Sequence, residues 1–137
     1  MLTYLLDSNV LSELMRNPYG HLSIIYEQKS AAPNVVLLTS IIVACEMRFG
    51  AAKKGSIPLT QRVDGVLASV EVAPLSAGAD QEYATLRAEL ERRGQLIGQN
   101  DMLIAAHALA LDAILVTDNV REFKRVKRLR VENWLRA

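Results

Sequence analysis

The chain has 137 residues, half of them hydrophobic, 23% charged and only 5% aromatic. A chain of this length buries enough surface for one core, which predicts a single domain over residues 1–137 and excludes a multidomain assembly. Sixteen Lys and Arg against fifteen Asp and Glu leave a formal charge of +1, so no global field selects a polyanion, a membrane or an acidic partner.

One cysteine, Cys45, excludes an internal disulfide framework and fits a reducing compartment. The longest nearly apolar stretch, residues 35–45, is interrupted by Thr39 and Ser40 and falls far short of the roughly 20 residues that span a bilayer. The N-terminus has no basic leader and reaches Asp7 before any apolar run of signal-peptide length. These features predict a soluble cytoplasmic protein.

In chain order, residues 2–6 read as a buried strand ending in Asp-Ser-Asn, with a helix cap near Asn9. Helices are expected over residues 10–15 and 22–30, separated by Asn17-Pro18. Residues 35–39 form a second strand candidate, followed by a helix over 41–53 that is apolar almost all round. Gly55 and Pro58 end that unit. A helix over about 60–69 precedes a short strand at 70–73, and a long helix runs from near Ser76 to Arg93, with Gly94 where a C-terminal cap belongs. Asn100 is placed to cap a helix to about Leu111, residues 114–117 read as the fourth strand and 130–131 as a fifth. Strands separated by helices imply right-handed parallel crossovers, hence a three-layer α/β/α sandwich around a mostly parallel sheet of four to five strands. In such sheets the ligand crevice lies beyond the carboxyl ends of the strands, where strand order reverses.

Four carboxylates fall where a core is expected. Asp7 closes the first strand and Asp118 the fourth, so both project at that edge. Glu46 is the only charge between Ser40 and Arg48, inside an otherwise apolar helix, and Asp101 lies on the sheet-facing stripe of Ile104, Ala108 and Leu111. Taken singly, Asp7 reads equally well as a cap, Asp118 as a turn residue and Asp101 as an ordinary first-turn acid. Together they are costly: a buried carboxylate must be protonated, paired or bound to metal, and converging ones repel. No Lys or Arg sits at a matching position. The natural counter-ion is a hard divalent cation, Mg²⁺ or Mn²⁺ rather than Zn²⁺, and the chemistry it suits is phosphodiester hydrolysis.

At these residues the sequence resembles the PIN-domain family, and within it the VapC-type toxin ribonucleases of bacterial toxin–antitoxin pairs. The matching pieces, LLDSNVLSEL, TSIIVACEMRFGA, RAELERRGQLIGQNDMLIAAHAL and LVTDNVREFKRVKRLRVENW, follow the family's order and cover nearly the whole chain. The resemblance implies a PIN-like fold, with Asp7, Glu46, Asp101 and Asp118 holding Mg²⁺ for cleavage of RNA, often tRNA. Asn9 matches a residue that orients the first Asp, and Thr117 a hydroxyl beside the site. Val43 departs from the pattern, standing where the family usually has a hydroxyl residue. The resemblance further implies a VapB-type antitoxin, whose C-terminal segment tends to place an Arg or Lys in the acidic pocket, and a homodimer.

His107, six residues past Asp101, is rotated about 120° from it on a helix and reads as structural. Cys45 reads as a small buried hydrophobe. Residues 121–137 carry seven basic and two acidic side chains. Phe123, Val126, Leu129, Val131 and Trp134 interleave with them and are expected to pin the tail to the core. Lys124, Arg125, Lys127 and Arg128 are candidate phosphate contacts, with a merely solvated face as the alternative. Two other functions remain open: a phosphotransfer or phosphatase-type α/β domain, for which Asn9 stands where a second Asp belongs, and a non-catalytic protein-binding domain of the same fold.

Overall fold

Burial deepens along the first strand, Leu2–Leu6 (β1), where Tyr4 is 3% exposed and Leu5 and Leu6 are fully enclosed. A computed structural model describes residues 1–136. After β1 come α1 (Ser8–Arg16), α2 (His21–Ala31), β2 (Val35–Ser40), α3 (Ile41–Lys54), α4 (Ile57–Ser69) and β3 (Glu71–Ala73). Then follow α5 (Ala79–Arg92), α6 (Gln99–Ala110), β4 (Ile114–Val116), α7 (Val120–Phe123) and β5 (Val131–Glu132). The strands form one wholly parallel sheet in the order β3-β2-β1-β4-β5, and helices flank it. This is the expected three-layer α/β/α architecture.

The chain builds from β1 outward through β2 to β3, then returns to set β4 on the other side of β1. Strand order therefore reverses between β1 and β4, which locates the crevice. Leu6 is in register with Thr39 on one side and Val116 on the other. One residue further along lie Asp7, Ser40, which is the last residue of β2, and Thr117, and all three are buried polar groups. The outer strands are short, three residues in β3 and two in β5.

Several boundaries differ from the sequence-based expectations for local reasons. Asp7 itself caps α1, its side chain accepting from the Ser8 amide at 2.8 Å, which leaves Asn9 free to turn toward the site. Helix α4 begins at Ile57 because Ser56 accepts from the Leu59 amide and Pro58 sits in the first turn, where its missing N–H is harmless. Gly98, not Asn100, is the residue before α6. The expectation that α3 is enclosed on all sides fails: Ile41 is 38% exposed and Phe49 67% exposed. Cys45 lies on the same open stripe, exposed rather than buried. Composition shows that a helix is apolar but not how many of its faces the rest of the chain can reach.

The tail packs as expected, with Phe123, Val126, Leu129 and Trp134 all buried. Trp134 meets Tyr4 of β1 edge-on, ring centroids 5.0 Å apart, and its indole Nε1 donates to Glu132 at 3.0 Å. The Lys29 ammonium stands over both rings. Among the described residues, no helix is long and apolar enough to cross a membrane. Trp134→Ala leaves a large hole between β1 and the tail and is expected to cost about 3–5 kcal/mol in urea unfolding; a loss under about 1 kcal/mol would mean that the tail does not secure the sheet.

Candidate active site

Asp7 sits where β1 gives way to α1 and is 4% exposed. One carboxylate oxygen accepts from the Ser8 amide and the other accepts from the Thr117 hydroxyl at 2.8 Å. The direction of the second bond is fixed by counting. The Thr117 oxygen already receives the Asn119 amide at 3.0 Å and the Asn9 side-chain amide at 3.2 Å, so its single proton goes to Asp7. Asn9 also accepts from the Asp118 amide at 3.0 Å, which ties the ends of β1 and β4 together. Asn9 and Thr117, both named from the sequence, thus bond to Asp7 and to the adjoining turn.

Glu46 projects from α3 with one oxygen, Oε2, accepting from Asn100 at 3.4 Å and the other, Oε1, buried without a partner. Asp101 occupies the first turn of α6. Burial raises the proton affinity of all three acids, and the Asp7 charge raises that of both Glu46 and Asp101. For Asp101 the carboxyl is pushed up to about 6, by burial first and then by Asp7, Glu122 and Glu46. At Asp7 the Thr117 and Ser8 hydrogen bonds oppose the effect of burial.

The expected fourth carboxylate is placed differently. Asp118 follows β4 as anticipated, yet its side chain turns to the tail, where Arg136 Nε donates at 2.9 Å and Asn133 at 3.0 Å. Those bonds hold its carboxyl below the ordinary range. The acid that acts on Asp101 alongside Asp7 and Glu46 is instead Glu122 on α7, which is not among the residues singled out from the sequence. Its signal was an acid three residues after Asn119, whose side-chain amide it accepts, within a segment dominated by basic residues.

No Lys or Arg forms an ion pair with Asp7, Glu46 or Asp101 among the described residues. Nor are three acidic, His or Cys side chains there drawn up around a single point as ligands. The donor chemistry nevertheless fits a hard cation: carboxylate oxygens only, a buried unpartnered oxygen on Glu46, and proton affinities raised by burial and, at Glu46 and Asp101, by neighbouring negative charge. His107 is fully buried away from this chemistry. Its Nδ1 meets the Ser40 hydroxyl at 2.8 Å, tying α6 to the start of α3, while Nε2 faces the Pro74 carbonyl without good hydrogen-bond geometry.

The four basic candidates of the tail are unequal. Arg128 forks onto Glu82 at 3.1 and 3.2 Å, and Arg125 donates to the Leu96 carbonyl at 3.1 Å. Lys124 and Lys127 have no acidic partner within ion-pair distance among the described residues.

Residues 4–129 of the chain match the PIN domain. Ribonuclease VapC2 of Rickettsia felis is 38% identical over 136 residues, covering 96% of this chain and 97% of that protein. The tRNA(fMet)-specific endonuclease VapC of Shigella flexneri is 31% identical over 136 residues, covering 98% and 99%. Among solved structures, VapBC2 from Rickettsia felis bound to a promoter DNA fragment superposes with a TM-score of 0.89 at 35% identity, over 97% of this chain and 99% of that one. The chain belongs to the PIN-domain family and, within it, to the VapC-type toxin ribonucleases.

Two outcomes follow from the electrostatics of the site. Between 3.8 and about 6 the folded chain holds a proton on Asp101 that the unfolded chain has released. Stability in chelator therefore rises as pH falls through that window and is lost as pH climbs past about 6. Asp101→Asn removes the titration, so by calorimetry in chelator it should melt above the parent at neutral pH, with the gap closing in acid. A variant that melts at or below the parent at neutral pH would contradict the cost assigned to this carboxylate. Thr117→Val removes the hydroxyl that favours ionised Asp7, so the Asp7 carboxyl should titrate at higher pH by NMR, and Thr117→Ser should restore it. An unmoved titration would mean that the hydroxyl does not set the charge of Asp7.

Proposed function

We propose that this ribonuclease depends on Mg²⁺, with Mn²⁺ as a substitute, held by Asp7, Glu46 and Asp101, and that it hydrolyses a phosphodiester bond in tRNA. The observation that carries the reading is the group of three buried or half-buried acids with no cationic side chain among them. Glu122 lies next to this set, and Asp118 joins it only if Arg136 and Asn133 release its carboxylate.

When bound, a divalent cation supplies the positive charge that admits a phosphate to an acidic pocket and makes water a better nucleophile. The side chains do the rest. Thr117 and Ser8 fix Asp7 and favour its ionised form against burial, and Asn100 holds one oxygen of Glu46 while the other is left without a partner. Asn9 keeps the ends of β1 and β4 in register. In the reaction a water oxygen bonds to phosphorus as the bond to the departing ribose oxygen breaks, and that oxygen gains a proton.

The tRNA assignment rests on the likeness to the Shigella flexneri endonuclease, and a VapB-type antitoxin as partner on the likeness to the VapBC2 complex. A guanidinium from such a partner suits the same pocket, because it would neutralise Asp7, Glu46 or Asp101 through charge-assisted bonds and displace the metal. A homodimer working in the cytoplasm completes the reading, with Ile41 and Phe49 of α3 offering uncovered apolar surface for a second copy. Asp7→Asn and Asp101→Asn are nearly isosteric and should each lower Mg²⁺-dependent RNA cleavage at least a hundredfold, roughly the loss of a charged group that acts in the transition state. Retention of a tenth or more of the activity in both variants would remove the metal-holding role.

A further inference from the structure

The acidic centre is open on the side of α1, α3 and α4. A hollow of about 290 Å³ begins at Ser8 and Glu46 and runs past Ser12 and Met15 to Lys54. A second hollow, of about 460 Å³, is lined by Ser12, Met15, Arg16, Lys54, Leu59 and Arg62. Ser12, Met15, Lys54 and Leu59 line both, so the two are one continuous channel leading away from Glu46.

The charge changes sign along it. The inner end carries Glu46, whereas half of the outer lining is cationic and none of it is acidic. Glu13 pairs with Arg16 at 3.1 Å, but Lys54 and Arg62 have no carboxylate within ion-pair distance among the described residues. Lys54 stands eight residues beyond Glu46 on the same helix, about 12 Å along its axis, within reach of nucleotides next to a scissile bond at the carboxylates. The tail is committed in part to holding itself in place, and its Lys124 and Lys127, unpaired among the described residues, do not line either hollow. Arg128, Arg130 and Arg136 are paired with Glu82, Asp112 and Asp118, so these cations fasten the tail to the domain.

We infer that the channel from Glu46 to Lys54 and Arg62 is the track of the RNA backbone, with these two side chains, assisted by Arg16, contacting phosphates that flank the cleaved bond. The inference rests on the ribonuclease reading and deepens it by assigning a substrate-binding face. An acidic centre repels the polyanion it must cut, so binding has to be supplied by positive charge beside it, and this channel is where that charge is both continuous with the site and unpaired.

The test uses the full chain and a single-stranded RNA oligonucleotide, with binding followed by fluorescence anisotropy across a range of NaCl in chelator. In the Lys54→Gln, Arg62→Gln double variant the slope of log affinity against log salt should flatten by about 1.4, which is about 0.7 for each phosphate of a single strand that is no longer neutralised. Affinity at low salt should fall roughly tenfold or more. Both positions are exposed, so the melting temperature should not move, and circular dichroism checks the fold. Lys124→Gln, Lys127→Gln should alter the slope less. An unchanged slope in the channel variant, or a larger change in the tail variant, would overturn the assignment. So would an unchanged slope accompanied by loss of binding to a protein partner, which would make the channel a protein groove. The ribonuclease reading fails separately, if the parent chain neither binds nor cuts RNA.

Discussion

Three carboxylates at the carboxyl edge of a parallel sheet, with no lysine or arginine among them, set the terms for everything around them. Burial in the α/β core withholds water, and proximity makes each charge a penalty on the others. The surrounding structure manages this unevenly. Asp7, the most enclosed, has its ionised form favoured by a hydroxyl whose lone pairs are both filled and by the first amide of α1, against the larger opposing effect of burial. Glu46 and Asp101, half-buried, have weaker support, and Asp101 retains a proton affinity far above that of a free aspartate. A site of this kind favours any cation that can reach it, whether a metal ion or a guanidinium.

The fold explains why these residues converge although they are scattered from position 7 to position 101. Placing β1 and β4 side by side in register brings Asp7 and Thr117 to one edge. Helix α3 leaves from the end of β2 at that same edge and delivers Glu46, while the Ser40–His107 bond fixes α6 against the start of α3. His107 thus contributes to the spacing of Glu46 and Asp101 without touching either. A mistake of one residue in strand register would turn Asp7 to the opposite face and break its bond to Thr117.

What was legible in the sequence was mostly what one segment can reveal about itself. Asp7 could be read from a strand that stops abruptly, Glu46 from a single charge in an apolar helix and Asp101 from an acid on a sheet-facing stripe. Contacts between distant segments were not legible. Nothing local shows that Arg136 comes back to Asp118, or that Asn100 reaches Glu46 instead of capping its own helix. Glu122 was hidden by the basic residues around it, because summing charge over a segment loses the direction in which each side chain points. The misreading of Cys45 has the same origin, since an apolar stretch gives no notice of which of its faces the folded domain leaves uncovered.

The sheet ends in strands of three and two residues, β3 and β5. Such edges offer few free backbone groups, so another chain finds little to zip onto, and growth by edge-to-edge addition into ribbons or fibrils is discouraged. Association is thereby channelled to side-chain surfaces, where it can be reversible and selective. That restriction keeps the accessible states few: free, or associated through matched side-chain surfaces, rather than lost to aggregates.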